Sequence, residues 1–282
     1  MNRSINYKIA KASVLPLDQM GLFKKPSAEV VAEALLSNPS RRQSEDDVYH
    51  IAVLKAHRLP DGPHIVAGKI VRGRQKQVTK IKSGDVTDEW FPDHPYCDFY
   101  FSEKTQIMAL QATEVTRSFE HFLKLLSSLL SRLLKPDGLY VHLEPLRDPT
   151  QFIRKLREAF KVESVWFSMV PPNSYTRDRA KQFAKSVAEA TRTRNILLRL
   201  DSYDELALNP KAPIIDDLSA ECGDGNGHCG AAIIAAKGGK QEYIESKRNQ
   251  VVHQIKPEEL IHKGPSLLDK LLVPVSLRKE DS

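Results

Sequence analysis

The sequence predicts an α+β fold: a mixed α/β core preceded by a β-rich subdomain and closed by a C-terminal hairpin. Three observations carry this expectation. Between Asp98 and Ser202, strand-like runs (DFYFSEKTQIMAL, GLYVHLEP, SVWFSMVPPN, NILLRLDS) alternate with helical patterns, the order of a strand hairpin, a long helix and then strand, helix, strand, helix, strand. The long helix, expected over about Thr113 to Leu134, places Val115, Phe119, Phe122, Leu126, Leu129 and Leu133 at alternating spacings of four and three. Upstream, YHIAVLKAHRL and HIVAGKIVRG flank Pro60-Asp61-Gly62, a turn tripeptide between two β-rich runs.

In chain order, INYKIAKASVLPL reads as a first strand, with Ile5, Tyr7 and Ile9, joined by Ala12 and Val14, on one face up to Pro16. A short helix follows, with Ser27 as N-cap, apolar Val30, Val31, Ala34 and Leu35, and a stop at Asn38-Pro39. After the hairpin, residues 74–96 turn polar and carry two prolines. They read as a connecting loop anchored by Trp90 and Phe91, and as the boundary between an N-terminal subdomain (1–95) and the core (96–263). The long helix serves either as the central core helix or also as support for a dimer contact. Asp148 and Pro149 supply the N-cap and first position of the next helix. Residues 203–228, with the glycine-rich GDGNGH, read as a flexible loop. CGAAIIAAKGGKQEYIESKRNQVVHQI then returns as strand, Gly238-Gly239 turn and strand, and residues 264–282 form a short helix and tail.

Composition narrows the class of function. With 41% apolar residues, the chain can bury an ordinary core, which excludes global disorder. The net charge of +6 favours anionic partners only where it clusters. Three cysteines without a short-spaced framework point to reduced thiols and a cytoplasmic setting. No apolar run is long enough to span a bilayer, so direct membrane insertion is not expected.

The charge clusters twice. KIVRGRQKQVTKIK carries Lys69, Arg72, Arg74, Lys76, Lys80 and Lys82 with no acid among them. After Pro172, a helix spaces Arg177, Lys181 and Lys185 four apart, with Arg179, Arg192 and Arg194 extending the cluster and Ala180, Phe183, Ala184 and Val187 opposite. Phosphates attract such surfaces through counterion release, which predicts sequence-independent, salt-sensitive nucleic-acid binding; the alternative is a solvated basic face.

Catalysis has less support. Asp85, Asp88, Glu89, Asp93, His94 and Asp98 crowd one segment and suit a hard divalent cation, as in a metal-dependent nuclease, but match no hydrolase spacing. Cys222, His228 and Cys229 are soft metal ligands without a paired second half. His142 lies within a strand, where a satisfied core histidine is the plainer reading. The chain holds no GxxxxGK[ST], GxSxG or HExxH, so the expectation is no catalytic residue, no cofactor and no metal.

The aromatic hairpin DFYFSEKTQIMAL, the long helix, LYVHLEPLRD, SVWFSMVPPN and the late GAAIIAAKGGKQEYIESKRN, in that order, resemble an uncharacterised bacterial family. They are also similar to RexA-type phage-exclusion proteins and, more loosely, to the DNA-binding subunit of Kiwa-type defence systems. The likeness covers about residues 97–255. It implies a non-catalytic, dimeric DNA-binding component of bacterial antiphage defence, acting with a membrane or effector partner. The alternatives are the nuclease and a protein-assembly subunit that does not touch nucleic acid.

Overall fold

The computed structural model describes residues 4–16, 28–42, 50–82, 85–169, 186–187, 196–203, 207–246, 250–255 and 272. Among them the fold is α+β, with thirteen strands in two antiparallel sheets. The large sheet contains β1 (Ile5–Pro16), β2 (Ser40–Arg42), β3 (His50–Leu59), β4 (Gly62–Lys82), β5 (Asp85–Asp93), β6 (Tyr96–Ser102), β7 (Ile107–Gln111), β8 (Leu139–Pro145) and β13 (Val252–Ile255). Its order is β13-β1-β7-β6-β4-β3-β2, with β8 also on β1 and β5 on β4. The small sheet runs β10-β9-β11-β12, from β9 (Lys161–Met169), β10 (Ile196–Asp201), β11 (Gly227–Ile234) and β12 (Gln241–Glu245).

β1 is buried on both faces. Tyr7 and Ile9 join one apolar cluster, while Ala10, Ala12 and Val14 join another, so the single lined face expected from the sequence becomes two. Helices α1 (Ala28–Leu36) and α2 (Phe119–Leu134) cover the second face. Helix α2 buries Phe119, Phe122, Leu123, Leu126, Leu129, Leu130 and Leu134, whereas Leu133 is exposed. It begins later than its periodicity suggests, because the Thr116 hydroxyl accepts from the Thr113 amide and donates to the Thr113 carbonyl in a turn that occupies the preceding residues. The same helix completes β8, which among the described residues has no strand on its far edge. Ser131 Oγ accepts from the Val141 amide at 2.8 Å and donates to the Val141 carbonyl at 3.1 Å.

Helices α3 (Thr150–Glu158) and α4 (Pro213–Glu221) cover one face of the small sheet through Phe152, Leu156, Ile215 and Leu218. Pro149 stands one residue before α3, and Asp148 Oδ1 accepts from the Thr150 amide at 2.9 Å. The final strand, β13, leaves the small sheet and pairs with β1. The expected boundary between residues 95 and 96 thus runs through one sheet, since β6 pairs with β4 and β7 with β1.

Two segments expected to be loops are ordered. Residues 85–93 form β5, paired with β4 over nine consecutive positions from Arg74↔Asp93 to Lys82↔Asp85. The glycine-rich residues 222–226 form a buried π-helical turn between α4 and β11. No helix among the described residues is long and apolar enough to cross a membrane.

Candidate nucleic-acid interface

Strand β4 is shared between two structures. Up to Gly73 it pairs with β3, and up to Val71 with β6; beyond these points its only partner among the described residues is β5. The result is a two-stranded ribbon of nine pairs, about 25 Å long at about 3.3 Å per residue, leaving the large sheet.

Alternation along β4 puts Arg72, Arg74, Lys76 and Lys80 on one face, the face that carries Val66 and Ile70 against the helices further back. Register then decides how much of that charge is free. Residues opposite each other in an antiparallel pair share a face, so β5 contributes Glu89, Asp93 and Phe91 to this one. Arg74 binds Asp93 at 2.8 Å and Glu114 at 2.8 Å, and these bonds raise its pKa. Lys80 binds Glu89 at 2.6 Å and lies 4.7 Å from the centre of the Phe91 ring. Arg72 and Lys76 form no ion pair among the described residues, and Lys76 sits exposed directly opposite Phe91. Lys82 is in register with Asp85.

Lys69 departs from the expected patch. It projects from the other face within the sheet, 2.6 Å from Asp98 and 4.1 Å from the centre of the Tyr96 ring. The hydrogen bond to Asp98 raises its pKa. Arg177, Arg179, Lys181, Lys185, Arg192 and Arg194 lie outside the described residues.

The second ribbon face is uncharged along β4, with Gln75, Gln77 and Thr79, and has Trp90 across from Gln77. Asp88 accepts from Gln77 Nε2 and Thr79 Oγ1, both at 2.7 Å. Trp90 is 58% exposed and Phe91 40%. Consecutive residues of a strand point oppositely, so the ribbon shows solvent one aromatic ring per face.

Of the acids grouped as a candidate cation site, Glu89 and Asp93 bond to β4 on one ribbon face, Asp88 bonds to it on the other, and Asp98 holds Lys69 within the sheet. Among the described residues, no three His, Cys, Asp or Glu side chains are placed to hold a metal ion.

A different polar cluster, one the sequence does not announce, joins the two sheets. Arg147, 1% exposed, donates to Glu144 at 2.6 Å, to Glu120 at 3.3 Å and to the Gly227 carbonyl at 3.0 Å. Burial opposes the Glu144 charge, but hydrogen bonds from His142 and Arg147 outweigh it and hold the carboxyl below its usual range. Asn226 accepts from Lys11 at 2.9 Å and donates to the buried Glu221 at 2.8 Å. Cys222 and Cys229 lie beside this turn, both fully buried; the hydrogen bond between them, together with burial, pushes Cys222 up. Only Gly225, in left-handed backbone at φ 79, and its flanking glycines hint at this closeness in the sequence.

Residues 29–271 match the family described as a domain of unknown function, DUF4747. The chain belongs to that family. The match takes in the ribbon, the small sheet, the buried turn and every strand of the large sheet except β1. No curated protein is significantly similar to the chain.

Proposed function

We propose that the chain binds the phosphate backbone of nucleic acid, DNA in the first instance, through the cationic face of the β4–β5 ribbon. The observation that carries this reading is the placement of Arg74, Lys76 and Lys80 on one face of a strand that has left its sheet, with Arg72 on the same face just before it leaves. Arg72 and Lys76 are free to meet phosphate directly. The pairs made by Arg74 and Lys80 are solvent-accessible, of the kind worth about 0–1 kcal/mol, so phosphate can replace their carboxylates at small cost. The similarity of the core to phage-exclusion proteins supports placing this binding in antiphage defence, in a cytoplasmic setting that keeps three free cysteines reduced.

Fluorescence anisotropy with labelled DNA at low and moderate salt tests the binding. Tight binding at low salt should weaken steeply as salt rises, and R72E/K76E should reduce both the affinity and the salt slope, the slope by roughly 1 per lost phosphate contact. Absence of binding at low salt, or an R72E/K76E variant that binds like the parent, rejects the proposal. Plating phage on cells producing parent or variant then tests the defence role.

A second reading, assembly with another copy of the chain, draws on the outward face of the small sheet. Leu197 and Tyr243 are 68% and 71% exposed there, and the Trp166 and Tyr243 rings lie 6.4 Å apart. Light scattering across a concentration series, with L197E/Y243E as the disrupting variant, separates dimer from monomer.

A further inference from the structure

We infer that the ribbon's preferred ligand is single-stranded nucleic acid, whose unpaired bases stack on Phe91 and Trp90. This rests on the phosphate-binding reading and specifies its substrate class. Duplex binding through phosphate alone would need only cations, and the ribbon offers more than cations. Phe91 lies on the cationic face with Lys76 directly across the strand pair and Lys80 at 4.7 Å from its ring centre. An exposed ring between two ammonium groups matches a strand whose bases and phosphates alternate at close spacing, because the ring takes the base and the cations take the flanking phosphates.

The opposite face repeats the aromatic element without the charge. Trp90 is the more exposed ring, and its neighbours Gln75, Gln77 and Thr79 offer hydrogen bonds rather than cations. Both rings belong to β5, which among the described residues has β4 as its only strand neighbour, so a flexible strand crossing the other edge of β5 reaches either face. In an intact duplex the bases are already stacked on one another, and neither ring gains a partner without the cost of unstacking. The carboxylates of Asp88 and Glu89 stand beside the two rings, each already holding hydrogen bonds from β4, which lessens their repulsion of a phosphate chain.

The chain has two tryptophans, Trp90 and Trp166, so a W166F background makes emission report on Trp90 alone. Titrating this protein with an oligothymidylate and with a duplex of equal length should quench Trp90 emission for the single strand and leave it nearly unchanged for the duplex. W90A and F91A should each weaken single-strand binding roughly 5- to 100-fold and leave duplex binding unaltered. Equal affinity for both forms, with W90A and F91A neutral, overturns the stacking assignment while leaving phosphate binding in place. Binding to neither form overturns both.

Discussion

Lys11 on β1 donates to the side-chain oxygen of Asn226 at 2.9 Å, joining the first strand of the large sheet to the turn that feeds an inner strand of the small one. The turn comes this near because it carries glycine. A Cβ at Gly225 would stand 2.7 Å from Lys11 Cβ, and one at Gly227 would stand 2.0 Å from the Ser168 carbonyl oxygen. Gly225→Ala adds left-handed strain to that contact, and Gly227→Ala drives a methyl group into backbone that has no rotamer to change. Each is expected to cost about 1–3 kcal/mol, Gly227→Ala the more. Urea denaturation measures this, and two variants as stable as the parent would mean that the sheets are not joined at this turn.

The same junction predicts an acid-sensitive component of stability. Arg147 is enclosed, so losing Glu144 leaves its buried charge only the longer contact to the half-exposed Glu120; Glu144→Gln and Arg147→Met should each cost about 3–5 kcal/mol at neutral pH, and the double variant less than their sum. Because the folded state depresses the Glu144 pKa, the stabilisation is complete above the unfolded value near about 4.3 and disappears as pH falls through the lower folded one. The gap between parent and Glu144→Gln should therefore be wide at pH 7 and narrow in acid. A gap that does not change with pH would contradict the sign.

Residues whose structure is set by near neighbours were legible in the sequence; those set by distant partners were not. The β3–β4 hairpin follows from Pro60-Asp61-Gly62 and its flanks, and α2 from its apolar stripe. β5 was hidden by Pro92, yet a strand with one neighbour can carry proline where its outward edge has no partner to bond. The basic run was legible as composition and misleading as charge, because the acids facing it arrive nine and nineteen residues later through cross-strand register, as Lys80 with Glu89 and Arg74 with Asp93 show. GDGNGH looked mobile because glycine permits mobility; here glycine permits contact, and the residues it touches, Lys11 and Leu146, lie far upstream.

The cysteines should be silent in the native protein. Cys97, Cys222 and Cys229 have no exposed surface, and burial pushes the Cys97 thiol up to about 12, leaving roughly one thiolate in ten thousand at pH 8. Ellman's reagent is expected to find no fast-reacting thiol before denaturation and three after it. Prompt labelling of the folded chain would show that one of the two sheets opens readily.

Helix α2 offers a test of which apolar positions hold the core. Leu126 is fully buried and Leu133 is 41% exposed, although both belong to the same sequence stripe. Leu126→Ala should cost about 2–5 kcal/mol and Leu133→Ala within about 0.5 kcal/mol. If Leu133→Ala proves as costly, the exposed leucine is covered in solution, as it would be at a contact with a second copy.

The ribbon should be removable. Among the described residues its strands pair only with each other beyond Gly73, and the ion pairs of Arg74 with Asp93 and Glu114 stand at its base. Gln75 and Pro92 are registered partners, so deleting residues 76–91 and joining these two through Asn-Gly replaces a long hairpin with a short one of compatible twist. The trimmed chain loses Lys76, Lys80, Lys82, Trp90 and Phe91 but keeps every residue of both sheet cores. Its melting temperature is expected within about 4 °C of the parent, corresponding to about 1 kcal/mol, while nucleic-acid affinity falls at least about tenfold. A trimmed chain that fails to fold would make the ribbon structural; one that folds and binds like the parent would move the interface elsewhere on the protein.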